Sequence, residues 1–201
     1  MGLKLIGIHG KAGSGKDTLG NFLVEDHNFH RMAFADPVKL AASAIFGWPL
    51  SNLHDPVFKK SYSDYWKISV RQAIQMTGTE AVRGTFGDAH WVNRWLIDYA
   101  QYVDKQSVVV TDVREEIEAD CIRDLGGVIV HLERSEAGLT GLEGMHSSEK
   151  GVSFNPAHDV RISNNGTLVD LWRASGSLIE FIESVTAEDK NSPIKNSVLQ
   201  D

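Results

Sequence analysis

Only one cysteine, Cys121, stands among the 201 residues. A lone thiol cannot build a disulfide framework within the chain, and zinc sites made of four cysteines are excluded. No apolar run approaches the roughly 18 residues that a membrane-spanning helix needs. The N-terminal apolar stretch passes straight into glycines and charges, unlike a signal peptide. Positive charge is in deficit: 20 Lys and Arg face 27 Asp and Glu, a formal net charge of −7. Proteins that coat nucleic-acid polymers usually present a basic face, so neither a polymeric nucleic acid nor a membrane is expected as partner. Internal repeats and low-complexity blocks are missing too. What is present is 42% apolar and 23% charged, the balance of a globular chain. One cytoplasmic domain with a sizeable core is the expectation.

Patterning along the chain alternates strands with helices. Leu3–His9 is a short apolar run ending at Gly10, and Arg31–Ala35, Ser107–Thr111, Val128–Leu132 and Val160–Ser163 read as further strands. Helices are expected over Lys16–His27, from an Asp36-Pro37 start to Phe46, over Ser69–Thr77 and Thr79–Arg83, over Trp91–Tyr102, over Glu115–Leu125 and over Leu168–Val185. Residues 48–65 read as irregular, and Gly78 as a helix stop. The pattern is that of an α/β protein with a largely parallel sheet. Residues 36–103 are too long for a plain crossover and are the expected substrate-binding insert of a domain spanning 1–187. Residues 135–157 contain four glycines and few apolar side chains, which suggests a loop or lid; 188–201 form a polar tail.

Gly10-Lys11-Ala12-Gly13-Ser14-Gly15-Lys16-Asp17-Thr18 follows a strand and opens a helix, the setting a phosphate-binding P-loop requires. Glycines let backbone N–H groups turn inward around phosphate oxygens, and the helix N-terminus adds partial positive charge. Lys16 supplies a mobile charge for β- and γ-phosphates, and Lys11 a second. Lys11, Gly13, Ser14, Gly15, Lys16, Asp17 and Thr18 are therefore the expected ATP-binding residues. Asp17 stands where a Ser or Thr magnesium ligand is usual, so Thr18 becomes an α-phosphate contact and magnesium would be held through carboxylates or water.

Val108-Val109-Val110-Thr111-Asp112 resembles a Walker B strand, apolar and ending in a carboxylate beside the phosphate loop. Asp112 is the second expected magnesium ligand; it could equally cap the following helix. Arg114, two residues on, and Arg134, after the fourth strand, are expected to reach the transferring phosphoryl group. Inside the insert, Arg71 and Gln75 share a helix face at i, i+4. Arg83 and Lys39 are further candidates for an acceptor phosphate, and Trp91 for a stacking surface. Met76 and Ile74 read as core. His146, in the glycine-rich loop, lacks the neighbours of a metal ligand and reads as packing or solvated.

These residues together resemble the bacteriophage deoxynucleoside monophosphate kinase family. The resemblance runs from residue 3 to about 172. It is carried by Gly10–Thr18, Phe-Ala-Asp-Pro-Val-Lys at 34–39, Arg71–Arg83, Trp91, Thr-Asp-Val-Arg at 111–114, Gly126–Arg134, His-Ser-Ser-Glu at 146–149 and Ile162–Leu168. It implies a three-layer α/β/α P-loop fold with five parallel strands in the order 2-3-1-4-5. It also implies ATP and Mg2+, transfer of the γ-phosphate to a dNMP to give dNDP and ADP, a homodimer, and a role in supplying DNA precursors. Two other readings stay open: a P-loop kinase of another small acceptor, such as dephospho-coenzyme A or shikimate, and a nucleotide-dependent switch or ATPase.

Overall fold

The computed structural model describes residues 4–135, 137 and 151–191, with 185–191 as backbone only. Among these residues seven strands are numbered in chain order: β1 Leu5–His9, β2 His30–Met32, β3 Tyr62–Ser63, β4 Ile68–Ser69, β5 Val108–Val113, β6 Val128–Glu133 and β7 Asp159–Ser163. Five of them form one parallel sheet in the order β2-β5-β1-β6-β7. Numbering those five alone, this is the 2-3-1-4-5 order expected. β3 and β4 pair separately as a short antiparallel ribbon in the insert.

Both faces of the sheet are covered, which is why its strands read as continuous apolar runs rather than alternating ones. Side chains still alternate by face. Ile6, Ile8, Val109 and Val130 pack with Leu19 and Leu23 of α1 (Lys16–His27) and with Leu171, Leu178 and Ile179 of the C-terminal helix. Leu5, Val108, Val110 and Ile129 pack on the other side with Val92 and Trp95 of α6 (His90–Tyr99) and Ile122 of α7 (Glu116–Asp124). A third, smaller cluster of Ala42, Leu53 and Val70, with Phe46, Trp48, Phe58 and Ile74 against it, gives the insert its own core. Among the described residues no helix is long and apolar enough to cross a membrane.

Several boundaries differ from the sequence expectation, each for a physical reason. Helix α2 spans Ala35–Phe46, so Asp36 lies inside it and is not its cap. The cap comes from elsewhere in the fold: Asp112 accepts from Phe34 N–H and Ala35 N–H, each at 2.9 Å. Asp112 therefore does not cap α7, whose box is closed by Glu115 and Glu118. The stretch read as irregular holds a 3-10 turn (Leu50–Leu53), helix α3 (Pro56–Lys59) capped by Asp55, and β3. Helix α4 (Val70–Met76) does not stop at Gly78. It runs on as a π-helix, Thr77–Arg83, and then as the short α5, Gly84–Phe86. Gly78 is there for closeness: a Cβ on it would lie 3.0 Å from Val38 of α2. The last helix, α8, runs Leu168–Asn191, beyond the expected end at Val185.

Candidate active site

The loop from Gly10 to Gly15 joins β1 to α1 with the conformations its glycines were chosen for. Gly13 and Gly15 have φ of 79° and 101°, which side chains rarely adopt. A Cβ on Gly10 would lie 2.5 Å from the Leu132 carbonyl oxygen, and one on Gly15 2.5 Å from Asn164 Nδ2. The Lys16 ammonium lies over the loop, donating to the carbonyls of Gly10 at 2.6 Å and Lys11 at 3.0 Å. Ser14 Oγ is buried at the loop floor without a hydrogen-bond partner among the described residues, as is Thr111 Oγ1 of β5. A buried hydroxyl in that state is costly, and a ligand oxygen at the loop would relieve it. Asp17 and Thr18 sit in the first turn of α1, Asp17 exposed and Thr18 half-buried.

Beside the loop, a first hollow is lined by His9, Gly10, Lys11, His131, Leu132, Glu133, Arg134, Ser135 and Asn165. Lys11 and Arg134 thus border the same space on the donor side. The Asn164-Asn165 turn does more than reverse the chain. Asn164 Nδ2 donates to the Ser14 carbonyl at 2.8 Å, and Asn165 Oδ1 accepts from Ser135 N–H and Oγ at 2.8 and 2.9 Å. It ties the phosphate loop to the end of β6.

A second hollow opens on the other side of Asp112, between the sheet and the insert. Phe34, Val38, Ile74 and Trp91 make its apolar wall; Lys39, Lys59, Arg71, Arg83 and Arg114 bring positive charge, with Gln75, Thr79, Asp112 and Glu118 between them. Arg71, Gln75, Thr79 and Arg83 are each four residues apart. In an α-helix a step of four overshoots one turn by about 40°, so Arg83 would drift away from the line of Arg71. The π-turn, shown by Gly84 N–H donating to Thr79 O, takes more than four residues per turn and undershoots instead. The stripe therefore stays aimed at one hollow.

A model of the deoxynucleotide monophosphate kinase family matches residues 50–174, which include this whole acceptor-side helix and the Asp112 strand. The chain belongs to the deoxynucleotide monophosphate kinase family. Among its relatives, a protein of Acanthamoeba polyphaga mimivirus, provisionally given as such a kinase, is 27% identical over 180 residues, covering 84% of this chain and 92% of the relative. The deoxynucleotide monophosphate kinase of Escherichia phage RB69 is 31% identical over 112 residues, 55% of this chain and 43% of its own. The deoxynucleoside-5'-monophosphate kinase of Escherichia phage T5 is 26% identical over 216 residues, covering 74% and 84%. In fold, the chain is similar to TT1252 from Thermus thermophilus, with TM-score 0.50 and 17% identity over 90% of this chain and 99% of that one.

Within this family member, three expected acceptor residues have occupations that sequence did not suggest. Arg83 forms ion pairs with Glu115 and Glu118, each at 3.1 Å, while its buried Nε has no partner among the described residues. Trp91 is 5% exposed and donates from Nε1 to the Gly78 carbonyl at 2.8 Å, so it is a fixed wall of the hollow and not an open stacking face. Lys39 lines the hollow while pairing with Asp36 at 3.1 Å. Met76, read as core, is half exposed.

Two residues were missed. Lys59 comes from α3, a helix too short to show a period; burial, and then the neighbouring Lys39 charge, lower its pKa. Glu118 is 3% exposed and accepts from Arg114 N–H at 2.8 Å and Glu115 N–H at 3.1 Å. Burial, reinforced by the charge of Asp112, pushes its carboxyl up to about 7. The capping-box spacing of Glu115 and Glu118 was its only sequence signal. His146 and most of the expected lid (136 and 138–150) lie outside the described residues.

Proposed function

We propose that this chain moves the γ-phosphoryl group of ATP onto a phosphate oxygen of a deoxynucleoside monophosphate, releasing ADP and a deoxynucleoside diphosphate. The observation that carries this reading is the acceptor hollow. Five cationic side chains from four separate elements converge beside an apolar wall, at the end of β5 that lies next to β1 and its phosphate loop. A planar base with a doubly charged phosphate has that pairing of surfaces.

The acceptor oxygen is already ionised near neutral pH, so no strong base is needed. Rate then depends on alignment and on charge placed where charge develops. Lys16 and Arg134 serve the donor phosphates, with Lys11 at the rim. Arg71, Gln75, Lys39 and Lys59 hold the acceptor, while Arg114 faces the transferring group from the end of β5. Glu118 neutralises part of the Arg83 charge and fixes the Arg114 backbone.

The donor set suits Mg2+, which prefers oxygen and keeps several waters. Asp17 and Asp112 would hold it. Each Asp112 oxygen already accepts one N–H, and a carboxylate has about four lone-pair sites, so room remains. Bound there, the ion would offset phosphate charge. A homodimer and a role in DNA-precursor supply are part of the same proposal, taken from the family resemblance; light scattering would check the first.

The test is ADP release with ATP and Mg2+ across dAMP, dGMP, dCMP, dTMP, dephospho-coenzyme A, shikimate and no acceptor. We expect at least one dNMP to raise the rate on the order of 10² or more over the acceptor-free rate. Stimulation only by a non-nucleotide acceptor, or hydrolysis that no acceptor changes, would overturn the reading.

A further inference from the structure

Asp112 and Arg114 sit at the end of β5, and the sheet ladder is irregular there. β1 and β5 run in step from Leu5↔Val108 to Gly7↔Val110, but His9 then pairs with Val113. Two residues of β1 span three of β5. Such a bulge bends the strand and re-aims a side chain, and here it falls on the Thr111-Asp112 step.

Around it, side chains take over from the ladder. Asp112 receives the Phe34 and Ala35 N–H groups, and Glu118 receives Arg114 N–H. The third clamp is His9. Its Nδ1 lies 3.0 Å from the carbonyl of fully buried Val113. A carbonyl only accepts, so Nδ1 carries the hydrogen and Nε2 is the acceptor. Nε2 in turn takes the Val152 N–H at 3.4 Å, and the ring meets His131 edge-on at 5.2 Å between centroids. Both ring nitrogens are committed to protein groups, so His9 is poorly placed to act on substrate itself.

We propose that His9 is a positioning residue for phosphoryl transfer: its Nδ1–H locks the β5 bulge and thereby sets where Asp112 and Arg114 point. Without it, a buried carbonyl loses its partner, and a chain relieves that by shifting. A shift of about 1 Å at aligned groups can cost on the order of 10² in rate. His9 also lines the hollow beside the phosphate loop, but its ring nitrogens are spent on Val113 and Val152, so the donor contacts proposed for residues 10–18 and Arg134 stay. The inference rests on the kinase reading above.

Two amide variants separate the ring's two nitrogens. Asn in place of His9 puts an N–H donor where Nδ1 was; Gln puts its amide near the Nε2 position and leaves Val113 O bare. In steady-state assays with the best dNMP, His9→Gln should lose about 10- to 100-fold in kcat with KM for ATP within about threefold. His9→Asn should stay within about fivefold of wild type. Hydrogen exchange over residues 110–115 should quicken in His9→Gln and not in His9→Asn. Equal behaviour of the two variants, or a loss confined to KM for ATP, overturns the proposal. If His9→Gln does not fold, His9→Asn decides alone: near-wild-type kcat supports the lock, and a loss beyond tenfold sinks it. Wild type inactive on every dNMP would instead refute the kinase reading, with the exchange comparison still testing His9.

Discussion

Around the phosphate loop, the glycine conformations suit a cradle of backbone amides, whereas around the acceptor hollow charge comes from side chains on four separate elements. The donor side is compact in sequence: nine consecutive residues, two of them glycines at positive φ, and one turn at Asn164 that pins them. The acceptor side is dispersed from Phe34 to Glu118, and it uses carboxylates as well as cations. A triphosphate can be held by a generic cradle. Choosing an acceptor needs shape and adjustable charge, which only side chains supply.

Four substitutions would break or sharpen that contrast. The largest effect belongs to the donor side: Lys16→Ala should cost on the order of 10²–10³ in kcat, by analogy with losing one preorganised charge contact. An unchanged kcat in a folded protein would remove the loop from the chemistry.

Next is Glu118, the buried acid of the acceptor side. Its folded pKa of about 7 lies above its ordinary value, so the folded state holds the proton longer than the unfolded chain does. Its contribution to stability is therefore fully kept below pH ~4.5, falls as pH rises toward 7, and is level above. Glu118→Gln removes this slope. Relative to wild type, the variant should gain on the order of 3 kcal/mol between those limits, read from melting midpoints against pH. Parallel curves would refute the assignment.

Arg71→Ala should raise KM for the dNMP about 10- to 100-fold, the worth of a charge-assisted hydrogen bond, with KM for ATP little changed. Equal rises in both constants would mean the two sides are not separable. Smallest is Trp91→Phe, which deletes the bond to Gly78 O: about 1 kcal/mol of stability, seen by urea unfolding.

The donor half of the site was legible because its physics is local. Gly10, Gly13, Gly15 and Lys16 announce a backbone conformation and a charge within one short segment, and the Val108–Val110 run announces a strand buried on both faces. The sheet order followed from the family resemblance those motifs carry. The acceptor half was legible only in part. Arg71 and Gln75 showed a shared face because they lie in regular helix. Arg83 was named, but its ion pairs with Glu115 and Glu118 join residues more than thirty positions apart. Trp91 looked like a platform because an indole's exposure is decided by what packs on it. Lys59 and Glu118 gave almost no signal, one in a single helical turn and the other inside a capping box. Asp112 was placed correctly on its strand, yet its second task, capping α2, is a tertiary contact.

The π-turn at Thr77–Arg83 makes the number of residues in this helix part of what shapes the acceptor-side hollow. A wide turn is what an α-helix becomes when one residue too many is kept in it. Deleting a single residue there would let the segment relax into ordinary, better-bonded α-helix, a change that stability selection alone would welcome. Arg83 would then follow Arg71 by eleven positions, which in an α-helix is within about 20° of the same line, so only the residues between them would change aim. Insertions and deletions, usually discussed as events of loops, would here redirect the middle of the stripe that lines the hollow while its two ends keep their places.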